Sequence, residues 1–277
     1  MTRRSPPPPM LDVVNITRRY LAGDGSVIEP LRNVSFGIEA GGRLSVVGST
    51  GSGKSTLFRL IAGLIRAQTG DIVINRRQLA TIPDAQLADW RLRHLGIITS
   101  GKNLVYALSV RENVELPLWL AGVRSSERRS RAHEALEATG LLDLHRVQSF
   151  RLSPFHHQVT ALARALVTMP DLILMDEPTG GLATAEMRDF INLCVDLCDK
   201  LDRSVLMLTD NLEAGQRMAT PANTVWLHDG SLHLTTPNVP RHDSTRVMPR
   251  TLAKPDVRSL RRTADAAAGL AEDGDDG

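Results

Sequence analysis

The chain has 277 residues, enough for one large α/β core or a core with an inserted subdomain. Hydrophobic residues make up 42% and charged residues 23%, as in a soluble globular protein, and no apolar run approaches the roughly 20 residues that span a bilayer. Lys+Arg 33 against Asp+Glu 31 leaves a net charge of +2, so no global charge argues for nucleic acid as a partner.

The start, Met-Thr-Arg-Arg-Ser followed by Pro6 to Pro9, lacks the apolar stretch of a signal peptide. Residues 1–9 read as a disordered, Pro-rich lead, and the compartment as cytoplasmic. Residues 11–16, 27–28 and 31–38 are strand-like runs separated by Gly-containing turns, which predicts an antiparallel sheet. Tyr20 falls between two of these strands, and on the residues alone it is a half-buried strand tyrosine. Residues 43–47 read as a buried strand and 57–64 as a helix. Between them runs Gly48-Ser49-Thr50-Gly51-Ser52-Gly53-Lys54-Ser55-Thr56, which matches the phosphate loop G-x-x-x-x-G-K-[ST] in the strand–loop–helix context it needs. The glycines let backbone N–H groups converge on an anion, the helix start adds its dipole, Lys54 reaches the β- and γ-phosphates, and Ser55 can ligate Mg²⁺. The motif implies binding of a nucleoside triphosphate.

Residues 70–75 read as a strand, 79–93 as an amphipathic helix, and 95–98 as a strand entering the polar loop Thr99-Ser100-Gly101-Lys102-Asn103. Helical spacing covers 110–120 and 126–139, where Ser126-Glu127 supplies a cap and an acidic first turn and Gly140 a stop. Arg124, Arg128, Arg129 and Arg131 form a solvated basic face there. Ser153-Pro154 opens another helix, serine being a good cap and proline favoured at the first helical position. The second chemical motif is Leu172-Ile173-Leu174-Met175-Asp176-Glu177-Pro178, an apolar run that puts two carboxylates at the carboxyl end of a buried strand. Asp176 can hold the Mg²⁺ shell, and Glu177 can orient or deprotonate the attacking water. Residues 189–201 form an amphipathic helix on which Cys194 and Cys198 line up with Met187 and Ile191, a core arrangement rather than a metal or redox pair. A strand at 205–208 and a hairpin at 225–232 follow, and 237–277 read as a disordered tail with a weak helix at 257–270.

With both motifs placed, residues 11–234 resemble the ATP-binding subunit of an ABC transporter. Arg91-Leu92-Arg93-His94-Leu95-Gly96 and Glu112-Asn113-Val114-Glu115-Leu116-Pro117-Leu118 are similar to the branch serving lipoprotein release, macrolide efflux and cell division. The resemblance implies an α/β P-loop NTPase fold at residues 10–236, with a RecA-like core, an N-terminal antiparallel β-subdomain and an inserted helical subdomain at about 100–165. It implies ATP and Mg²⁺ held between two such subunits, in a homo- or heterodimer, and an integral membrane permease as partner, so that the chain sits peripherally on the cytoplasmic face. Tyr20 then takes the place of the aromatic that stacks on adenine, and Glu177 that of the catalytic carboxylate.

The departures from the family pattern are as telling. The loop glutamine is Ser100. The signature Leu-Ser-Gly-Gly-Gln is Leu152-Ser153-Pro154-Phe155-His156, the aspartate after the Asp-Glu-Pro-Thr motif is Ala183, and the switch histidine is Asp210. Pro154 has no N–H to offer a phosphate, Phe155 puts a ring where a glycine is usual, and Asp210 sets an anion in place of a donor. Losing one such donor costs about 10²–10³ in rate. His156 or Asn211 is the alternative donor. The expectation is an ATPase that binds ATP·Mg²⁺ and turns it over slowly, or else a regulatory subunit that responds to nucleotide without turnover.

Overall fold

The computed structural model describes residues 8–21, 23–100 and 103–234. Two sheets carry the chain. The first is antiparallel, in the order β2 (Val27–Ile38), β1 (Leu11–Leu21), β4 (Thr69–Ile74), β5 (Arg77–Gln78). The second is ordered β10 (Ser231–Leu234), β9 (Thr224–His228), β3 (Arg43–Val47), β8 (Ser204–Thr209), β7 (Leu172–Asp176), β6 (Leu95–Thr99). Its strands from β9 to β6 are parallel and β10 closes the edge as an antiparallel hairpin. Parallel strands covered on both faces need apolar residues at every position, which is why β7 and β8 read as continuous hydrophobic runs.

Successive side chains of a strand point to opposite faces, and the two faces feed two cores. Leu44, Val46, Leu172, Leu174, Leu206 and Leu208 join the core shared with the antiparallel sheet and helix α1 (Lys54–Ile61). Ile173, Met175, Val205 and Met207 join the other core, built with α3 (Val110–Leu120), α4 (Ser125–Ala138), α5 (Pro154–Leu166) and α6 (Thr184–Lys200). Cys194 and Cys198 lie in this second core as buried free thiols.

Several boundaries differ from the sequence reading for identifiable reasons. Strand β1 runs on through Tyr20, which pairs with Ile28, so the tyrosine lies on a strand and not between two. The helix expected over 79–93 is α2 (Asp84–His94), preceded by a 3-10 turn at Leu79–Thr81. Pro83 forces the break, since it lacks an N–H and pushes Ile82 into an extended conformation (φ −83°, ψ 123°). Helix α4 begins after Arg124 with no side-chain cap, so Ser126 is not its cap. Helix α6 begins at Thr184, five residues ahead of the expected start. Helix α7 (Leu212–Ala219) has no counterpart in the sequence reading. The tail reading at 237–277, and most of the Pro-rich lead, lie outside the described residues.

Candidate functional site

Four strand ends converge to build the site. The phosphate loop follows β3, Asp176 ends β7 with Glu177 next after it, Ser100 follows β6, and Asp210 follows β8. Backbone bonds lock these ends together. The Gly48 N–H donates to Thr209 O at 3.0 Å, the Ser100 N–H to Asp176 O at 2.8 Å, and the Glu177 N–H to Leu208 O at 2.8 Å.

Two glycines in the loop are dictated by space and conformation. A Cβ on Gly48 would stand 2.6 Å from Leu227 O, and a Cβ on Gly53 would overlap the Pro30 carbonyl oxygen, at a φ of +110°. The loop's backbone is thus pressed against its neighbours, and Lys54 is folded into it. Its ammonium donates to Gly48 O (2.6 Å) and Ser49 O (3.0 Å), and lies 3.2 Å from Glu177 Oε1. Glu177 Oε2 accepts from the Asp210 N–H at 3.0 Å. Ser49, Thr50, Gly51 and Ser55 are exposed around this centre, Thr56 is half-buried and Ser52 is buried.

Asp176 fits a cation. Its Oδ1 is buried without a hydrogen-bond partner, and burial, reinforced by the Glu177 charge, pushes its carboxyl above the usual range despite Lys54 and Arg59 nearby. An acid that is disfavoured as a bare anion is suited to a divalent metal, and the exposed hydroxyl of Ser55 is a donor of the oxygen type Mg²⁺ takes.

The remaining candidate residues stand further out. Tyr20 is on β1, with the Arg18 guanidinium 4.8 Å from its ring centroid. Among the described residues no hydrogen bond or ion pair joins it to the phosphate loop. Ser100 is exposed beside Gly180, where a Cβ would lie 3.4 Å from its own. Ser153 caps α5: its Oγ accepts from the His156 N–H at 3.3 Å and lies 2.9 Å from His156 Nδ1, with Pro154 at the first helical position. Phe155 is half-buried, packs against the helical-side core and meets the His156 ring edge-on, with 5.6 Å between ring centroids. Ala183 precedes α6 and has no side-chain acceptor, while Glu186 reaches back to the Ala183 N–H at 3.1 Å. Asp210 presents an exposed carboxylate, and Asn211 spends its side-chain oxygen capping α7 through the Ala214 N–H at 3.0 Å.

Two residues of consequence escaped the sequence reading. Thr209, fully buried, gives its carbonyl to Gly48 N–H and its hydroxyl to the Asn211 N–H at 3.1 Å, tying the phosphate loop to the loop carrying Asp210. Arg164 is a largely buried guanidinium on α5 that donates to Asn103 O at 2.8 Å, and burial lowers its pKa. The signal for Arg164 was present: it is a lone arginine among Ala161, Leu162, Ala163, Ala165 and Leu166.

The family model described as "ABC transporter" matches residues 31–180. The chain belongs to the ABC transporter family. It is 37% identical over 204 residues to an uncharacterised ABC transporter ATP-binding protein of Thermotoga maritima, covering 74% of this chain and 86% of that protein. It is 34% identical over 224 residues to the lipoprotein-releasing system ATP-binding protein LolD of Alcanivorax borkumensis, covering 81% and 96%. Among solved structures, the fold matches a dimeric post-hydrolysis state of the ATP-binding cassette MJ0796 bound to ADP and Pi, with a TM-score of 0.71 and 29% identity over 80% of this chain and 96% of that one. The fold is that of an ABC ATP-binding cassette, and the sequence similarity places the chain near the LolD branch of the family. No helix among the described residues is long and apolar enough to cross a membrane.

Proposed function

We propose that this chain is the ATP-binding subunit of an ABC transporter complex, binding ATP·Mg²⁺ at a dimer interface and hydrolysing it slowly while acting on an integral membrane partner. The observation that carries the proposal is the meeting of Lys54 and Glu177, 3.2 Å apart, at the mouth of a phosphate loop in which Gly48 and Gly53 have no room for side chains. The backbone N–H groups of the loop and Lys54 hold the phosphates, Ser55 and Asp176 hold Mg²⁺, and Tyr20 stacks on the base. The metal would screen phosphate charge and polarise the phosphoryl oxygens. Glu177, oriented by the Asp210 N–H, aligns or deprotonates the attacking water.

The same geometry supports slow turnover. Ser100 offers a short hydroxyl where the resemblance puts a longer glutamine, and Asp210 adds an exposed negative charge. On the face offered to a second subunit, the start of α5 has no N–H at Pro154, and the His156 N–H is turned to Ser153. These last facts favour a second reading, a regulatory subunit that closes on ATP without turnover. A groove of about 590 Å³ between the two cores, lined by Leu92, Ile97, Leu116, Pro117, Leu120 and Arg164 among others, offers the membrane partner an apolar seat beside the Ser100 loop.

ATP turnover by the purified chain, with and without its cognate membrane subunit and beside Glu177→Gln, tests the proposal. Weak turnover raised by the membrane subunit and abolished in Glu177→Gln supports it. Tight ATP binding with turnover equal to the variant favours the regulatory reading, and no ATP binding refutes both.

A further inference from the structure

Lysine has three ammonium protons and no more. In this structure Lys54 donates to Gly48 O at 2.6 Å and Ser49 O at 3.0 Å, and it forms an ion pair with Glu177 Oε1 at 3.2 Å. The ammonium is buried, with 7% of its side chain exposed, so water screens its pairing with Glu177 only in part. Glu177 is equally committed. Its second oxygen accepts from the Asp210 N–H, its own N–H is bound to Leu208 O, and its backbone takes a φ of +48°, a left-handed conformation that strains a non-glycine residue. The structure thus holds a strained residue in place on three sides, one of them the phosphate-binding lysine.

We propose that the Lys54–Glu177 pair is an autoinhibitory latch, in which the catalytic carboxylate and the nucleotide's phosphate compete for the same ammonium. The inference rests on the phosphate-loop reading above and deepens it. A phosphate reaching the loop meets an ammonium already paired with an anion. Gly48 O and Ser49 O belong to the loop itself, while Glu177 is an anion that a more highly charged anion can replace. Displacement frees Glu177 Oε1 for water only after phosphate has taken Lys54, so the carboxylate is released by the binding event it serves. Thr209, bonded to both Gly48 and Asn211, keeps the Asp210 N–H on Glu177 Oε2, so the carboxylate pivots about one fixed oxygen.

The test is ADP binding by the full chain, read by calorimetry, in wild type, Glu177→Asp, Glu177→Gln, Asp210→Asn and Lys54→Ala. ADP avoids complications from turnover. Glu177→Asp keeps the charge but withdraws it by one methylene from Lys54, and Asp210→Asn removes a neighbouring charge that does not touch the lysine. The latch predicts that Glu177→Asp binds ADP about fivefold more tightly than wild type, the weight of one partly exposed ion pair, and that Asp210→Asn gains less. Glu177→Gln should gain at least as much as Glu177→Asp, and it serves as the second variant should the aspartate fail to fold. If Glu177→Asp matches wild type, or if Asp210→Asn gains as much as Glu177→Gln, only general repulsion is at work and the latch is overturned. If wild type binds no ADP, or Lys54→Ala binds as well as wild type, the phosphate-loop reading falls and the latch with it.

Discussion

Gly53→Ala separates two roles that glycines play in one loop. Gly53 has a φ of +110°, and an added Cβ would overlap the Pro30 carbonyl oxygen and stand 3.2 Å from Leu31 Cδ2. Gly51 has a φ of +84°, but nothing lies within 4 Å of its would-be Cβ. Alanine at either position meets the left-handed penalty of about 1–2 kcal/mol. Only Gly53→Ala must also move backbone, because the obstructing atom is a carbonyl oxygen of β2 and not the end of a flexible side chain. A forced shift of that kind costs about 1–3 kcal/mol more. Gly53→Ala should therefore destabilise the domain by about 2–5 kcal/mol and Gly51→Ala by about 1–2 kcal/mol. Urea titrations followed by circular dichroism, with ADP binding measured alongside, provide the assay. Equal midpoints for the two variants would refute the claim that the loop is pressed against β2.

Ser153→Ala removes the side-chain acceptor at the start of α5, and the cost should be about 1 kcal/mol, a melting point lower by about 2–4 °C by calorimetry. Burial and Glu177 hold the Asp176 carboxyl above its usual range, so the folded chain keeps that proton more tightly than the unfolded one. The bare carboxylate therefore lowers stability above its folded pKa, and the penalty fades as pH falls through it. Asp176→Asn should accordingly melt higher than wild type at pH 7, with the gap closing in acid, while Mg²⁺-dependent nucleotide binding is lost. Burial raises the Cys194 thiol well above its usual pKa and pushes Cys198 up to about 12, so neither should react with a thiol reagent until the chain unfolds. Rapid labelling under native conditions would show that the helical-side core opens.

The phosphate loop and the strand ending in Asp176 were legible because their chemistry is written in consecutive residues: glycines before a lysine, and an apolar run before two acids. The hairpin of β9 and β10 was legible for the same reason, through Asp229-Gly230 between apolar strands. Helix α7 was not. Gly215 in its middle argues against a helix on propensity, yet a Cβ there would lie 2.9 Å from Val47 Cγ2, so glycine is what lets this helix lie close against β3. Tertiary packing, which the local sequence does not show, overrode propensity.

The site shows the same division. Each residue type could be assigned from its motif, but the Lys54–Glu177 pair joins α1 to the end of β7 and depends on the register of β3, β8 and β7. Phe155 makes the point in reverse. By its position in the motif it stands where the family resemblance puts a glycine, and the structure shows its ring half-buried against the helical-side core, a contact the motif alone does not reveal. Thr209 went unnoticed because its contribution is half backbone, which a residue pattern does not reveal.

The central claim is that this chain retains a competent phosphate and metal site, and that the altered loops limit its turnover. The most direct measurement restores those loops together, as Ser100→Gln, Pro154→Gly, Phe155→Gly and Asp210→His in one chain, and compares ATP turnover with wild type at equal ATP occupancy. The account predicts unchanged or tighter ATP binding and turnover higher by about 10²–10³, the weight of at least one recovered phosphate donor. Turnover unchanged in a folded, ATP-binding variant would contradict it, and would mean that the limit lies elsewhere in the molecule.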